Sequence, residues 1–175
     1  MLAAALLAVF VPMLIEALRA RRNERAQRAR GGVEPRGDVY ALMQVAYPGL
    51  LLAMMAEGAL RGAPPRGLFL AGTLVFAAAK LLKWWAIRSL GSCWTFRIIV
   101  VPGASLVASG PYRYLPHPNY LAVMGEFIGT ALMAGAPIVG PVATLVFGAL
   151  MIKRIAVEDR ALRRIGRPSR PSRPS

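Results

Sequence analysis

Long apolar segments alternate with shorter polar segments along most of the chain. The apolar segments occupy residues 1–18, 39–60, 68–87, 120–133 and 138–152. The first three are long enough to cross a bilayer, because a transmembrane helix needs about 20 apolar residues. The last two are shorter and are joined by a tight turn, which predicts a hairpin of two helices. The pattern therefore predicts an all-α membrane protein with about five transmembrane helices.

The composition agrees with this interpretation. Hydrophobic residues make up 56% of the 175 residues, yet the formal net charge is +14. These two properties are compatible in a membrane protein, because apolar runs lie in lipid while Lys and Arg collect in the loops on one side. Nucleic-acid binding is the other interpretation of a high pI. The apolar runs between the basic clusters are too long for it, so no nucleic-acid partner is expected.

The basic residues are distributed unevenly between the predicted loops. Residues 19–38 carry seven arginines, whereas the loop between the second and third spans carries only Arg61 and Arg66. The stretch after residue 152 is again strongly basic. The positive-inside rule therefore places residues 19–38, residues 84–117 and the C-terminus in the cytoplasm.

The chain is too short for two domains of ordinary size. We predict one integral membrane domain over residues 1–166. Residues 167–175 repeat Arg-Pro-Ser, a composition that cannot build a core, so this basic tail is predicted to be disordered. Cys93 and His117 are the only residues of their types. That excludes an intrachain disulfide, a cysteine cluster and a His-rich zinc site, and no metal is expected.

Three acidic residues fall within the predicted spans. Glu16 and Glu57 lie near span ends, where solvation at the membrane interface accounts for them. Glu126 lies further into the fourth span. A carboxylate at that depth is costly unless it is paired or faces a cavity. We therefore expect Glu126 to face the bundle interior or a substrate pocket.

The densest polar motif precedes the fourth span, where residues 110–120 read GPYRYLPHPNY. Pro118 suits the first position of a helix, which makes His117 an approximate N-cap. The free backbone N–H groups just beyond such a cap attract an anion. Tyr112 and Tyr120 offer aromatic faces that suit a planar ring or a cation. The plainer interpretation is an interfacial aromatic belt with a helix cap.

A second polar motif follows the fifth span, where residues 154–162 read RIAVEDRAL. Arg154 and Glu158 are four residues apart, so they share one face of a helix. The plainer interpretation of this pair is an ordinary ion pair on a solvated helix end.

Together the two motifs resemble those of the isoprenylcysteine carboxyl methyltransferase family. In that family a Gly-x-Tyr…Arg-His-Pro-x-Tyr stretch opens a membrane helix, and Arg-x-x-x-Glu-Glu-x-x-Leu follows the next helix. The resemblance covers about residues 80–162 and includes the short upstream segment 88–94. Pro116 stands where many members have Arg, and Asp159 replaces the second Glu. Neither change removes the histidine, the tyrosine or the Arg–Glu pair, so an active enzyme is expected.

The resemblance implies S-adenosylmethionine as methyl donor and a cofactor site on the cytoplasmic side, flanked by the C-terminal hairpin. Arg154 and Glu158 are the implied catalytic residues, with Arg154 orienting an acceptor oxygen. Trp94 and Glu126 are expected to line the substrate pocket. The implied cofactor-binding residues are Tyr112, His117, Pro118, Asn119, Tyr120 and Glu158.

The implied acceptor is a lipophilic small molecule that partitions into membrane lipid. The Arg- and Ala-rich composition is typical of a bacterial chain, which predicts a multi-pass protein of the inner cell membrane. Bacterial relatives are associated with O-methylation of phenolic or pyrone polyketide lipids. An acidic phenol or enol needs little general-base help, which fits a site without a second histidine. The alternatives are a prenylcysteine carboxyl methyltransferase, a phospholipid or amine N-methyltransferase, and a non-enzymatic membrane protein that retains the hairpin.

Overall fold

The computed structural model describes residues 2–165 and places five α-helices along them. No β-strand occurs in this part of the chain, where extended segments pair only through a single bridge between Val33 and Val100. The predicted all-helical class is therefore confirmed. The tail 167–175, predicted to be disordered, lies outside the described residues. The helices are α1 (Leu2–Ala29), α2 (Tyr40–Arg61), α3 (Arg66–Leu90), α4 (Pro118–Ala134) and α5 (Val139–Ile165).

Three helical segments in the described part of the chain are long and apolar enough to cross a membrane. They are Tyr40–Arg61, Arg66–Cys93 and Val139–Arg163. The helix α4 has 17 residues, which at 1.5 Å per residue gives a length of about 25 Å. The protein is thus a helical membrane protein, and a total of five spans stays a prediction.

Two helices extend well beyond the apolar segments that predicted them. The helix α1 continues to Ala29 instead of ending near residue 18, and α5 continues to Ile165, beyond the apolar run that ends near residue 152. Both extensions are rich in Arg and also contain Ala and Glu. These residues are good helix formers, so the helix persists after the apolar run ends. As a result, Arg154 and Glu158 lie within α5 itself.

The closest packing in the bundle joins α3 to α4 through glycines. A Cβ atom added at Gly129 would lie 2.7 Å from the backbone nitrogen of Phe76. One added at Gly72 would lie 2.6 Å from the backbone nitrogen of Met133. Small residues of this kind let two membrane helices approach closely. Any larger side chain at Gly72 or Gly129 would push the two helices apart.

A core of apolar side chains joins α2, α4 and α5. Phe127 on α4 and Phe147 on α5 stack with ring centroids 4.7 Å apart. Leu51 and Met54 on α2 pack in the same cluster and are fully buried. Stacked aromatic rings of this geometry add to the stabilisation from apolar burial.

At the end of the bundle that holds the turn between α4 and α5, Glu57 connects α2 to the start of α5. Its carboxylate accepts the backbone N–H groups of Ile138 at 3.2 Å and of Val139 at 2.7 Å. It also pairs with Arg61 at 2.7 Å. A carboxylate is favoured at a helix N-terminus, where it meets free N–H groups.

The other end of the bundle carries the long loops. The side-chain amides of Asn23 and Gln27 on α1 donate to four backbone carbonyl groups of residues 91–94, at 2.7–3.1 Å. The continuation of α1 past its apolar segment therefore positions the loop that follows α3.

Candidate active site

The two polar motifs meet at the start of α4. His117 is the N-cap of this helix and Pro118 is its first residue, as the sequence predicted. The Nε2 atom of His117 lies 3.2 Å from Oδ1 of Asp159, and its Nδ1 atom lies 3.9 Å from Oε2 of Glu158. The hairpin thus brings residues about forty positions apart into direct contact.

Tyr120 links the two charged residues of α5. Its hydroxyl group donates to Oε2 of Glu158 at 2.7 Å and accepts from Nε of Arg154 at 3.0 Å. Within the described structure, Arg154 and Glu158 form no ion pair with each other. The surface ion pair that their spacing suggests is therefore replaced by a connection through a third side chain.

Arg154 has a buried partner that the sequence did not indicate. Its Nη1 atom lies 3.0 Å from Oδ1 of Asp38, and its Nη2 atom donates to the backbone carbonyl of Phe96. Asp38 also accepts the backbone N–H groups of Tyr40 at 3.1 Å and of Ile98 at 3.3 Å. Asp38 thereby joins the start of α2, the loop after α3 and the guanidinium of α5.

Further polar contacts hold the loop after α3 against the loop after α1. Arg97 pairs with Glu34 at 2.8 Å, and Glu34 pairs with Arg28 at 2.7 Å. The hydrogen bond that Arg97 donates to the Glu34 carboxylate raises the pKa of Arg97. Burial acts to raise the pKa of Glu34, but the bonds from the two arginines outweigh it and lower that pKa below its usual value. Both partners are therefore charged at neutral pH.

Tyr112 lies in the short turn Gly110–Arg113, near Glu158. Burial raises the pKa of its hydroxyl well above the usual value, and the nearby Glu158 carboxylate raises it further. The hydroxyl therefore stays protonated and neutral in the site.

Two cavities surround this cluster. The first, which we term the loop cavity, has a volume of about 310 Å³ and is enclosed chiefly by the loop after α3. The predicted cofactor-binding residues Tyr112, His117, Asn119, Tyr120 and Glu158 all line it. The structure therefore gathers these residues around one space of molecular size.

The second cavity, which we term the bundle cavity, has a volume of about 320 Å³ and lies between α1, α2, α4 and α5. Apolar side chains form much of its wall, among them Met43, Val123, Phe147 and Met151. The walls of the two cavities have five residues in common, namely Trp94, Thr95, Asn119, Tyr120 and Arg154.

The remaining predicted site residues occupy different positions. Trp94 is almost fully buried in the shared wall, and its Nε1 atom donates to Oδ1 of Asn119 at 3.4 Å. Pro118 is buried in the helix start. In the described structure Glu126 lines neither cavity. It instead contacts Tyr47 and Lys83, which do line the bundle cavity. The roles of these residues in catalysis and binding stay predictions.

Over residues 2–165, no group of three or more His, Cys, Asp or Glu side chains is placed to hold a metal ion.

Comparison with known proteins identifies the family of this chain. The isoprenylcysteine carboxyl methyltransferase family matches residues 70–164, which include α4, nearly all of α5 and both motifs. The chain belongs to this family of membrane methyltransferases, as the motifs predicted. Members of the family use S-adenosylmethionine as their methyl donor.

Two bacterial relatives match over most of their length. One, the uncharacterized protein YpbQ of Bacillus subtilis (strain 168), is 32% identical over 143 residues, which cover 82% of this chain and 85% of the relative. The other, an uncharacterized protein of Haemophilus influenzae, is 24% identical over 142 residues, covering 81% and 83% of the two chains. No solved structure gives a significant match.

Proposed function

We propose that the protein is an integral membrane O-methyltransferase that uses S-adenosylmethionine and acts on a phenolic or pyrone polyketide lipid. The observation that carries this proposal is the shared wall of the two cavities. The loop cavity gathers the polar residues expected for the cofactor, and the bundle cavity offers apolar walls to a lipid. Two bound reactants would meet at Arg154 and Tyr120.

The side chains of the loop cavity fit the cofactor's chemistry. The Glu158 carboxylate is an acceptor for the cofactor's ammonium or ribose hydroxyl groups, and the Tyr112 ring is a stacking surface for adenine. The start of α4 beside His117 suits a carboxylate, because its N–H groups have no partner within the helix. When bound, S-adenosylmethionine supplies an electrophilic methyl group.

Arg154 suits the acceptor oxygen. A guanidinium has five N–H donors, and in the described structure three atoms of Arg154 already hold Tyr120, Asp38 and Phe96. The remaining two N–H groups are available to a phenolic or enolic oxygen. Because the guanidinium is fixed on three sides, it holds that oxygen without having to reorganise. Methyl transfer is a displacement at the methyl carbon. A protein contributes to such a reaction mainly by aligning the reactants and excluding water.

The distribution of charge supports five spans with the site facing the cytoplasm of the inner cell membrane. The loop cavity lies at the end of the bundle where α1 and α5 carry their arginines. At the opposite end, the turn between α4 and α5 at Gly135 is uncharged. By the positive-inside rule, the end that carries the loop cavity is cytoplasmic.

The test is methyl transfer by protein purified in detergent, with methyl-labelled S-adenosylmethionine. The acceptors are long-chain alkylphenols, alkylpyrones, a farnesylated cysteine and an aminophospholipid. We expect label in the phenol or pyrone product and none in an Arg154→Ala control. Label only in the farnesylated cysteine would instead support carboxyl methylation, and label only in the aminophospholipid would support N-methylation. Cofactor binding without transfer to any of these acceptors would contradict the proposed substrate class.

A further inference from the structure

Four charged side chains from three helices meet inside the bundle. Lys83 pairs with Glu16 at 2.6 Å, and Lys80 pairs with Glu126 at 2.8 Å. Each lysine also lies 3.3 Å from the other carboxylate. Tyr47 from a fourth helix, α2, donates its hydroxyl to Glu126. The cluster contains two positive and two negative charges and is therefore electrically neutral.

Holding the helices together does not by itself account for a cluster of buried charges. The exposed fractions of the Lys83, Glu16 and Glu126 side chains are 4%, 5% and 0%. Buried ion pairs lose much of their attraction to desolvation, and apolar residues of similar volume often stabilise a protein as well. Ionisable residues inside a membrane protein usually face a cavity and take part in function.

Only half of the cluster faces the bundle cavity. Glu16, Lys83 and Tyr47 line that cavity, whereas in the described structure Lys80 and Glu126 do not. The cavity therefore has a second polar region in addition to the Arg154 end.

Helix geometry gives the depth of this second region. Tyr40 and Tyr47 both line the cavity from α2 and are seven residues apart, a rise of about 10 Å at 1.5 Å per residue. Tyr40 stands at the level of Arg154, because the Arg154 guanidinium lies over the Tyr40 ring. Tyr47 stands at the level of Lys83, which lies over its ring. The second polar region is therefore about two helical turns deeper than Arg154.

The Lys83–Glu16 pair presents ammonium donors beside a carboxylate acceptor. A hydroxyl group complements both, because it accepts from Lys83 while donating to Glu16. A carbonyl or ether oxygen would use only the lysine, and an alkyl chain would use neither. We infer that this pair is a binding subsite for a second hydroxyl group of the methyl acceptor. The inference rests on the proposed function, and it narrows the acceptor to lipids that carry two hydroxyl groups.

Two double variants distinguish a binding subsite from a purely structural role of the charged cluster. Each variant removes one positive and one negative charge. Glu16→Gln with Lys83→Gln alters the half that faces the cavity. Lys80→Gln with Glu126→Gln alters the half that faces away, and serves as the matched control. Three acceptors of equal chain length are compared: a monohydroxy alkylphenol, an alkylresorcinol, and an alkylphenol with a hydroxyl near the ring on its chain.

We expect the wild type to prefer one of the dihydroxy acceptors by about tenfold or more in kcat/KM, since a site built to bind a hydroxyl rejects analogues that lack it. The Glu16/Lys83 double variant should lose this preference, mainly through KM. The Lys80/Glu126 double variant should keep the ratio, whatever its absolute rate. Absence of a wild-type preference, or its survival in the Glu16/Lys83 variant, would overturn the inference.

Thermal unfolding and equilibrium binding are measured as well, so that the subsite can be tested if a variant does not fold or if no acceptor is methylated. If the Glu16/Lys83 variant does not fold, as judged by thermal unfolding, the wild-type preference alone decides, and its absence overturns the subsite. If the wild type binds cofactor but methylates none of the three acceptors, the proposed function fails. Equilibrium binding of the same acceptors then tests the subsite separately, and equal affinities for monohydroxy and dihydroxy lipids would overturn it.

Discussion

Arg154 and Asp38 form a buried ion pair, with Nη1 and Oδ1 3.0 Å apart, although 116 positions separate them in the chain. The exposed fractions of the two side chains are 6% and 4%. The pair holds the guanidinium of Arg154 beside the Tyr120 hydroxyl. The geometry at the junction of the cavities therefore depends on the start of α2 as well as on the hairpin of α4 and α5.

Replacing Asp38 by asparagine should lower turnover by about tenfold while cofactor affinity changes less than twofold. The amide keeps the size of the side chain but removes the charge that fixes Arg154, and it leaves the loop cavity intact. Because breaking a buried pair leaves an uncompensated charge, unfolding should also occur at a lower temperature. The measurements are kcat, KM and calorimetric cofactor affinity.

A matched control for Asp38 is Glu57→Gln at the far end of the bundle. Glu57 also accepts two backbone N–H groups, so its replacement should lower thermal stability without changing kcat. If the two variants lose stability and activity in parallel, Asp38 has only a structural role and does not position Arg154.

His117→Ala should weaken cofactor binding by about 1–3 kcal/mol, the cost expected when one hydrogen bond is lost. His117 lines the loop cavity at the start of α4, so the loss should appear in calorimetric affinity for S-adenosylmethionine and its demethylated product. Asp159→Asn, which alters the partner of His117 at a more exposed position, should have a smaller effect. Unchanged affinity in folded His117→Ala protein would remove His117 from the site.

Glu158→Gln should act mainly by weakening cofactor binding, with a smaller loss of turnover at saturating cofactor. The amide oxygen can still accept from Tyr120, but it lacks the charge that suits an ammonium group. The measurement is KM for the cofactor together with kcat. A large fall in kcat with unchanged KM for the cofactor would instead give Glu158 a role in the transfer step.

The features that the sequence predicted correctly have local signals. The cap at His117 and Pro118 follows from residue types at adjacent positions, and the hairpin follows from two apolar runs around a turn. The continuation of α1 to Ala29 was missed because an apolar run marks only the membrane-embedded part of a helix. The continuation of α5 was predicted as far as the helix face shared by Arg154 and Glu158. In α1 the helix itself continues through a segment rich in Ala and Arg, which have high helix propensity.

The missed site residues depend on contacts that no local pattern encodes. Asp38 sits in a polar loop, and only the fold brings it to Arg154. Interfacial solvation was the wrong interpretation of Glu16, because its partner Lys83 lies on α3 and buries it. A carboxylate and a lysine at matching depth in two predicted spans are the one signal that could have suggested this pair.

Reporter fusions test the predicted orientation. A fusion after the last residue should show activity of a cytoplasmic reporter and almost none of a periplasm-only reporter, because the basic end of the bundle is predicted to face inward. A fusion in the turn at Gly135 gives the matched control and should show the opposite pattern. Strong periplasmic activity at the C-terminus would contradict both the orientation and the cytoplasmic site.

The rate of a single methyl transfer in Arg154→Lys, with cofactor saturating, tests the account most directly. Lysine keeps the positive charge but lacks the planar fork that holds an oxygen while bound to Tyr120 and Asp38. We predict cofactor affinity close to that of the wild type and a transfer rate at least about tenfold lower. Near-normal rates in both Arg154→Lys and Arg154→Ala, on the acceptor that the wild type uses, would contradict the placement of the reaction at the shared wall of the two cavities.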